Sequence, residues 1–554
     1  MKLALHLCAV VLTLYLQAAV GEQPKAVEKL PPTSSVSGQV VTAAEAAPLK
    51  SARVVLVPER QTTGSPQVYS AMSDADGKFN IKGIPAGRYR FFASHTGYVD
   101  QQFQSAGVEK GAVLALRVGE EVKDVLFRMI LAAVMTGRVD DEDGEPMANI
   151  QVVALKRPSE EEREDNPWLE RRELSAAAGG QTDDRGQYRL FGLKPGEYYI
   201  RAIDEFMPTT MMMGIASDDW AVHESLGSQY APVYYPGVTQ IGQAEAVLVR
   251  PGEEGEADFI LRRVKTVEVS GKVIGIDGKP ATDCYVVIFE TPNAEFSLNH
   301  NASPDSKGEF KIRGVPPGSY LLMAEQNSSS DERRYHAQAK IEVGDENVES
   351  VTLFLGRGTK ISGRVTAQAG TVNTDRLFVS LVAPEEIIPG GWSRVKKDGS
   401  FEILDVPDGS FTFDLSGLEE GHYLRSARVG HDDILTNGLQ IEKGQTGGTI
   451  QVVVGSSTPQ LEGAVTRKGA AVVGARVRVS PMPETPYNRA RAQSTRTDQS
   501  GHFTFTAIAP GQYKVVAKFS GPDGAKPAVS DPQTVDISEN EHRQIELTVV
   551  SPDK

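Results

Sequence analysis

Few side chains in this sequence are placed to do chemistry, and each has a plainer use to be weighed beside it. Beyond residue 21 the histidines are His95, His223, His300, His336, His422, His431, His502 and His542. None begins His-x-x-Glu or His-Glu-x-x-His, the spacings that bring two ligands and a carboxylate to one zinc ion. No Gly-x-Ser-x-Gly elbow, phosphate loop or dinucleotide fingerprint occurs. Asp74-Ala75-Asp76-Gly77 starts like a calcium loop but lacks the later oxygen ligands and the closing Glu. It reads as a turn in which Asp accepts backbone amides. Met207, Met211, Met212 and Met213 could hold Cu(I) through thioethers, or form a soft apolar loop. Cys284 precedes Tyr285-Val286-Val287-Ile288 and reads as a small core residue. Neither a catalytic centre, a metal nor a cofactor is expected.

The aromatic residues hold more promise. Trp168, Trp220 and Trp392 are the sequence's three tryptophans, and all are expected in connections between strands. With Tyr234 and Tyr235 they would give flat, polar-edged surfaces suited to stacking on sugars or peptides. Their other use is to wedge joints between domains or to cover exposed core. The second repeat, with Trp168, Trp220, Tyr234 and Tyr235, is the expected home of any ligand site.

The elements that position these residues follow from a repeat written five times. A strand of the form Ser/Thr-Gly-x-Val occurs at Ser37–Val40, Thr136–Val139, Ser270–Val273 and Ser362–Val365, with a weaker copy at Glu462–Val465. A second signature follows each. An Asp-containing turn carries a glycine (Gly77, Gly186, Gly308, Gly399, Gly501), and a second glycine stands ten residues on (Gly87, Gly196, Gly318, Gly409, Gly511). An aromatic residue lies two further along: Tyr89, Tyr198, Tyr320, Phe411 and Tyr513. The first glycine suits a tight turn needing positive φ, and the alternation Phe79-Asn80-Ile81 beyond it is a strand with one buried face. Several short strands with turns between, and little helix, describe an all-β chain of tandem transthyretin/Ig-like β-sandwich domains.

Lys2 and the apolar run Leu3–Leu16, followed by Ala19-Val20-Gly21, read as an export signal cut before Glu22. The run is shorter than the roughly 20 residues that span a bilayer, and no transmembrane segment is expected after cleavage. Cys284 is then the one remaining cysteine, so no internal disulfide can form. A net charge of -15 argues against a nucleic-acid partner.

The motifs Ser-Gly-x-Val, Asp-x-x-Gly-x-Phe (Asp74–Phe79) and Pro-x-Gly-x-Tyr (Pro85–Tyr89) together resemble the carboxypeptidase regulatory-like domain, a transthyretin-like sandwich related to the Cna-B and carbohydrate-binding-like folds. Gly97-Tyr98 and Tyr234-Tyr235-Pro236-Gly237 resemble further elements of multi-repeat exported bacterial versions. The resemblance implies an accessory domain and not the peptidase it is named after. Related sandwiches can carry a Lys–Asn crosslink from the first strand, where this chain has Gln39, Arg138, Lys272, Arg364 and Ala464, so only Lys272 could begin to qualify. The expected division is a signal peptide at 1–21, a linker at 22–33, and domains at 34–130, 131–264, 265–357, 358–457 and 458–554. Domain two carries two long insertions, and a short helix starting at Asn166-Pro167 is expected in the first. The joints have no Gly/Ser- or Pro-rich linkers, which predicts a semi-rigid rod or a compact curl. The expected role is a structural or recognition module of the cell envelope, for adhesion or scaffolding, in the periplasm, on the surface or outside the cell. A glycan-binding protein, or an accessory subunit of an envelope peptidase or outer-membrane transporter, are the alternatives.

Overall fold

The computed structural model describes residues 33–551 apart from 60–66, 105–110, 166–173, 205–229, 231, 240, 264, 291–300, 327–335, 357, 384–388, 420, 443–447, 458 and 521–526. The leader, Trp168, Trp220, the methionine cluster and the helix start at Asn166 lie outside the described residues.

The first sandwich shows the pattern of the others. Its strands are β1 (Ser34–Thr42), β2 (Arg53–Pro58), β3 (Tyr69–Met72), β4 (Lys78–Ile84), β5 (Gly87–Ser94), β6 (Tyr98–Val99), β7 (Gln101–Gln102), β8 (Val113–Leu116) and β9 (Glu121–Leu131). One sheet has the order β4-β1-β9-β6, and the other has β3-β2-β5-β7 with β8 also on β5. β1 runs antiparallel to β4 and parallel to β9. The same parallel pairing of an early strand with the last one joins Val267–Ile274 to Val348–Phe354, Thr359–Ala367 to Thr449–Gly455, and Gln460–Arg467 to His542–Val550. Ala133–Asp141 meets Glu254–Glu256 and Phe259–Leu261 in the same sense.

The Ser-Gly-x-Val motif explains this pairing. A Cβ on Gly38 would stand 1.9 Å from the Val125 carbonyl oxygen; one on Gly271 would stand 2.0 Å from that of Val351, and one on Gly463 2.0 Å from that of Ile545. The last strand approaches so closely that a side chain has no room. The Asp turns behave as their composition dictates. Asp74 Oδ1 accepts the amides of Asp76 and Lys78 at 2.9 and 2.8 Å, and Asp183, Asp305 and Asp498 repeat the arrangement. Gly77, Gly186, Gly308, Gly399 and Gly501 have φ between 72° and 82°, where a Cβ is strained. The second glycines, Gly87, Gly196, Gly318, Gly409 and Gly511, each open the strand that carries the aromatic. That aromatic is buried, and in four sandwiches its hydroxyl donates to the carbonyl four residues back: Tyr89 to Pro85 (2.9 Å), Tyr198 to Lys194 (2.8 Å), Tyr320 to Pro316 (3.0 Å) and Tyr513 to Ala509 (2.7 Å). Phe411 fills the place without the bond.

Among the described residues the large apolar cores are separate, running from Val36 to Met129, Ala133 to Leu261, Val267 to Leu355, Ile361 to Val454 and Leu461 to Val549. Cys284 belongs to the third, where burial, with Asp283 nearby, pushes its thiol up to about 11. Lys272 pairs with Glu309 at 3.1 Å and is half exposed, so it is an ordinary surface cation. The joints are tight: Ala132 alone separates β9 from the next strand and donates its amide to Gly97 at 3.0 Å. No described helix is long and apolar enough to cross a membrane.

Replacing Gly38 by Ala is expected to cost about 3 kcal/mol of local stability through overpacking. Gly83→Ala, where positive φ is the only obstacle, should cost about 1 kcal/mol. Hydrogen exchange of β1 and β9 amides in the full chain checks this; equal losses in both variants would contradict the close-approach account.

Candidate functional site

Two surfaces stand out, an outward ledge on the fourth sandwich and the place where the fifth returns to the first and second. The ledge lies on the sheet made by Pro389–Arg394, Phe378–Val382 and Gly409–Ser416, with the first of these at the edge. Alternation sends Val379 and Leu381 into the core and leaves Phe378 and Ser380 facing outward. Across the strands, Trp392 stands opposite Ser380, which stands opposite Asp414. Arg394, Phe378 and Ser416 form the parallel row. Trp392 is 69% exposed. Its ring centroid lies 6.0 Å from that of Phe378, over which the Arg394 guanidinium sits at 5.2 Å. Trp392 was expected in a connection and is instead on a strand, because the segment before the Asp turn pairs with Phe378–Val382.

The tyrosines expected to share a ligand surface in the second sandwich do structural work. Tyr234 is 7% exposed, packs with Val153, Leu155 and Leu174, and lies under the buried Arg201 guanidinium at 5.5 Å. Tyr235 packs against the second core, 6.3 Å from the ring of Phe259. Both are apolar enough to be drawn in by neighbouring strands, and sequence spacing does not show the depth of that packing. Trp168 and Trp220 remain outside the described residues.

The second surface decides the arrangement of the chain, which is a curl and not the straight rod. Arg88 on β5 pairs with Glu59 at 2.7 Å and reaches the fifth sandwich, donating to the Arg496 carbonyl at 3.0 Å and lying 3.7 Å from Asp498. Gln499 accepts from the Ala115 amide at 3.1 Å and donates to its carbonyl at 2.8 Å, as a strand neighbour would. Val473 completes the contact by packing against the first core. The Asp498 turn therefore extends the edge of β8.

The second sandwich supplies an acidic clamp. Its first insertion forms helix α1 (Glu160–Asp165). Ser159 Oγ accepts the Glu162 amide at 3.2 Å, and Glu162 accepts the Ser159 amide at 2.9 Å, a reciprocal cap. Lys156 holds Glu162 at 2.6 Å. Glu160, Glu161 and Glu164 face the fifth sandwich. Glu161 accepts from Arg496 at 2.6 and 2.7 Å. Glu164 pairs with the almost fully buried Arg476 and with Lys518 at 3.0 Å, and Glu160 pairs with Lys518 at 2.8 Å. Burial opposes the charge on Glu164, but hydrogen bonds from Arg476 and Lys518 outweigh it and hold the carboxyl below its ordinary value. Burial likewise opposes the charge on Lys518, and its two glutamates hold it above the ordinary value. Sequence reasoning missed this helix, and the Ser159-Glu160-Glu161-Glu162 capping sequence was the signal that could have found it. A charge imbalance marked its partner: residues 458–554 hold 12 Lys and Arg against 10 Asp and Glu, inside a chain of net -15.

Reversing two charges with Glu161→Lys and Glu164→Lys should detach α1 and enlarge the particle in solution scattering, while circular dichroism stays that of intact sandwiches. An unchanged radius of gyration would contradict the clamp. Because the Glu164 value is lowered, its contribution is complete above about pH 4.3 and fades as pH falls through the lower folded value. Because the Lys518 value is raised, its contribution is complete below about pH 10.4 and fades as pH rises through the folded value. The clamp should therefore hold through neutral pH and open in acid, as pH falls through the lowered value of Glu164.

Comparison with known proteins follows the repeat. The structurally similar chains include a streptococcal ancillary pilin (12% identity, covering 52% of this chain and 100% of that one, TM-score 0.19). They also include the major pilin subunit BcpA of Bacillus cereus (12%, 52% and 100%, TM-score 0.16) and a minor pilin of Streptococcus agalactiae (14%, 40% and 96%, TM-score 0.20). Overlaps at this level carry no implication for what this chain does. No curated protein sequence matches it. Residues 35–119 and 460–549 match the model of the carboxypeptidase regulatory-like domain, and these two segments fall in the first and the fifth sandwiches, the two that meet at the closure.

Proposed function

We propose that this chain is a non-enzymatic exported recognition scaffold of five sandwiches, divided at 34–130, 131–264, 265–357, 358–457 and 458–554, that presents the ledge of the fourth to a saccharide. The supporting observation is Trp392, exposed on an edge strand in line with Ser380 and Asp414. An aromatic face beside hydroxyl, carboxylate and guanidinium groups suits a sugar ring, whose C–H face stacks while its hydroxyls find acceptors and donors. A sheet holds these groups more rigidly than a loop would. The side chains that might have done chemistry are occupied elsewhere: Asp74, Asp183, Asp305 and Asp498 hold turns, and Cys284 is a core thiol. Export rests on the leader sequence, with the periplasm, the cell surface and the medium all open to it. An envelope protein as partner is the competing reading.

Calorimetric titration of the chain from Glu22 with a panel of soluble polysaccharides tests the proposal. Saturable binding that Trp392→Ala weakens about tenfold is the expected result. Binding unchanged in that variant would remove the ledge from the account, and silence across the panel would move the role to a protein partner.

A further inference from the structure

A cavity of about 150 Å³ lies where α1 meets the fifth sandwich, lined by Glu164, Arg476, Arg478, Ser480, Lys514 and Lys518, with Val516 at its wall. That is the volume in which an apolar cavity takes up a benzene-sized molecule. This one is lined by charge: among the described residues four cations face one carboxylate. Among the described residues, Arg476, Arg478, Arg489, Arg496, Lys514 and Lys518 meet Glu160, Glu161, Glu164 and Glu484. Glu484 serves three of them, reaching Lys514 at 3.1 Å but Arg489 at only 3.7 Å and Arg478 at only 3.8 Å. The Arg478 Nη2 is buried and has no hydrogen-bond partner among the described residues. A buried guanidinium nitrogen without an acceptor is a costly group, and a bound anion is one of the few things that satisfies it.

The cations are held in place by the fold. Arg476 and Arg478 alternate with the core residues Val477 and Val479 on Arg476–Pro481, and Lys514 and Lys518 alternate with Val515 and Ala517 on the paired strand Gly511–Phe519. Arg478 stands opposite Val516, Arg476 opposite Lys518, and Ser480 opposite Lys514. All four cations therefore share the outward face of one two-stranded ribbon, a spacing set by sheet geometry. Planar guanidinium groups and ammonium ends at this spacing suit an oxyanion that accepts several hydrogen bonds at once.

We infer that this cavity binds a compact dianion of the phosphate class, either the free ion or a phosphate group at the end of a larger molecule, seated on Arg476, Arg478, Lys514 and Lys518. A multiply charged anion would answer the cations that outnumber carboxylate on the described lining, and would supply the acceptor that Arg478 Nη2 lacks there. Because Glu164 of the second sandwich forms one wall, the occupied site would also tie the second sandwich to the fifth, and ligand would favour the closed arrangement by mass action. The inference does not depend on the saccharide ledge, which lies on another sandwich.

The test is titration of the chain from Glu22 with inorganic phosphate, and separately with glycerol 2-phosphate, against sodium chloride at equal ionic strength. Saturable binding of phosphate that chloride does not reproduce is expected, weakened tenfold or more both in Arg478→Gln and in the more exposed Lys514→Gln. Hydrogen exchange of the Arg476–Pro481 and Gly511–Phe519 strands shows that each variant is folded. Equal binding of glycerol 2-phosphate would identify a terminal phosphate group as the ligand, and its exclusion would identify the free ion. Heats indistinguishable from those of chloride, or wild-type affinity in both folded variants, would overturn the inference.

Discussion

Much of this architecture depends on one close approach, the parallel run of the last strand of a sandwich along its first at a glycine that leaves room for the facing carbonyl. At Gly38, Gly271 and Gly463 the space a Cβ would need is taken by the oxygen of Val125, Val351 or Ile545. Parallel pairing of first and last strands brings the chain in at one end of a sandwich and out at the other. Successive sandwiches can then be joined by very short connections, as at Ala132 between β9 and its successor. Had these strands paired antiparallel, the chain would leave beside its point of arrival, and a file of domains would need long linkers.

Short joints alone do not set the final arrangement. The file closes because the Asp498 turn of the fifth sandwich sits beside β8 of the first, while α1 of the second clamps the same sandwich from another side. These contacts are mostly ionic and polar. Arg476 is almost fully buried among glutamates, and removing one member of such a set leaves the other charge stranded, which is why buried pairs are sensitive to single changes. The Asp turn that builds each sandwich is, at Asp498, also part of the closure. A local motif thus serves the long-range arrangement in a single copy.

The strands were legible because their signals are local: alternation in Phe79-Asn80-Ile81, glycine at the Asp turns, and an aromatic two residues after the second glycine. The reason for the Ser-Gly-x-Val glycine was not, since the atom it avoids lies on a strand 87 positions away at Val125. The expected ligand residues fared unevenly for a similar reason. Tyr234 and Tyr235 are polar-edged aromatics in sequence, and only the neighbouring strands show that they are covered. Trp392 was expected in a connection, and the pairing with Ser380 that puts it on a strand as part of a flat ledge is a tertiary fact. The closure left a trace in the basic balance of residues 458–554, but composition does not say which acidic segment would answer it.

The most direct test of the closed arrangement uses the unmodified chain. A carbodiimide joins an amine to a carboxylate only when the two are in contact, and Lys518 stands 2.8 Å from Glu160 and 3.0 Å from Glu164 across the junction. Mass spectrometry of digested, crosslinked monomer should find the peptide of Lys518 covalently joined to the peptide of α1, at a yield independent of protein concentration. Lys518 joined only to carboxylates of its own sandwich would show that the fifth sandwich does not return to the second and that the chain is an open file.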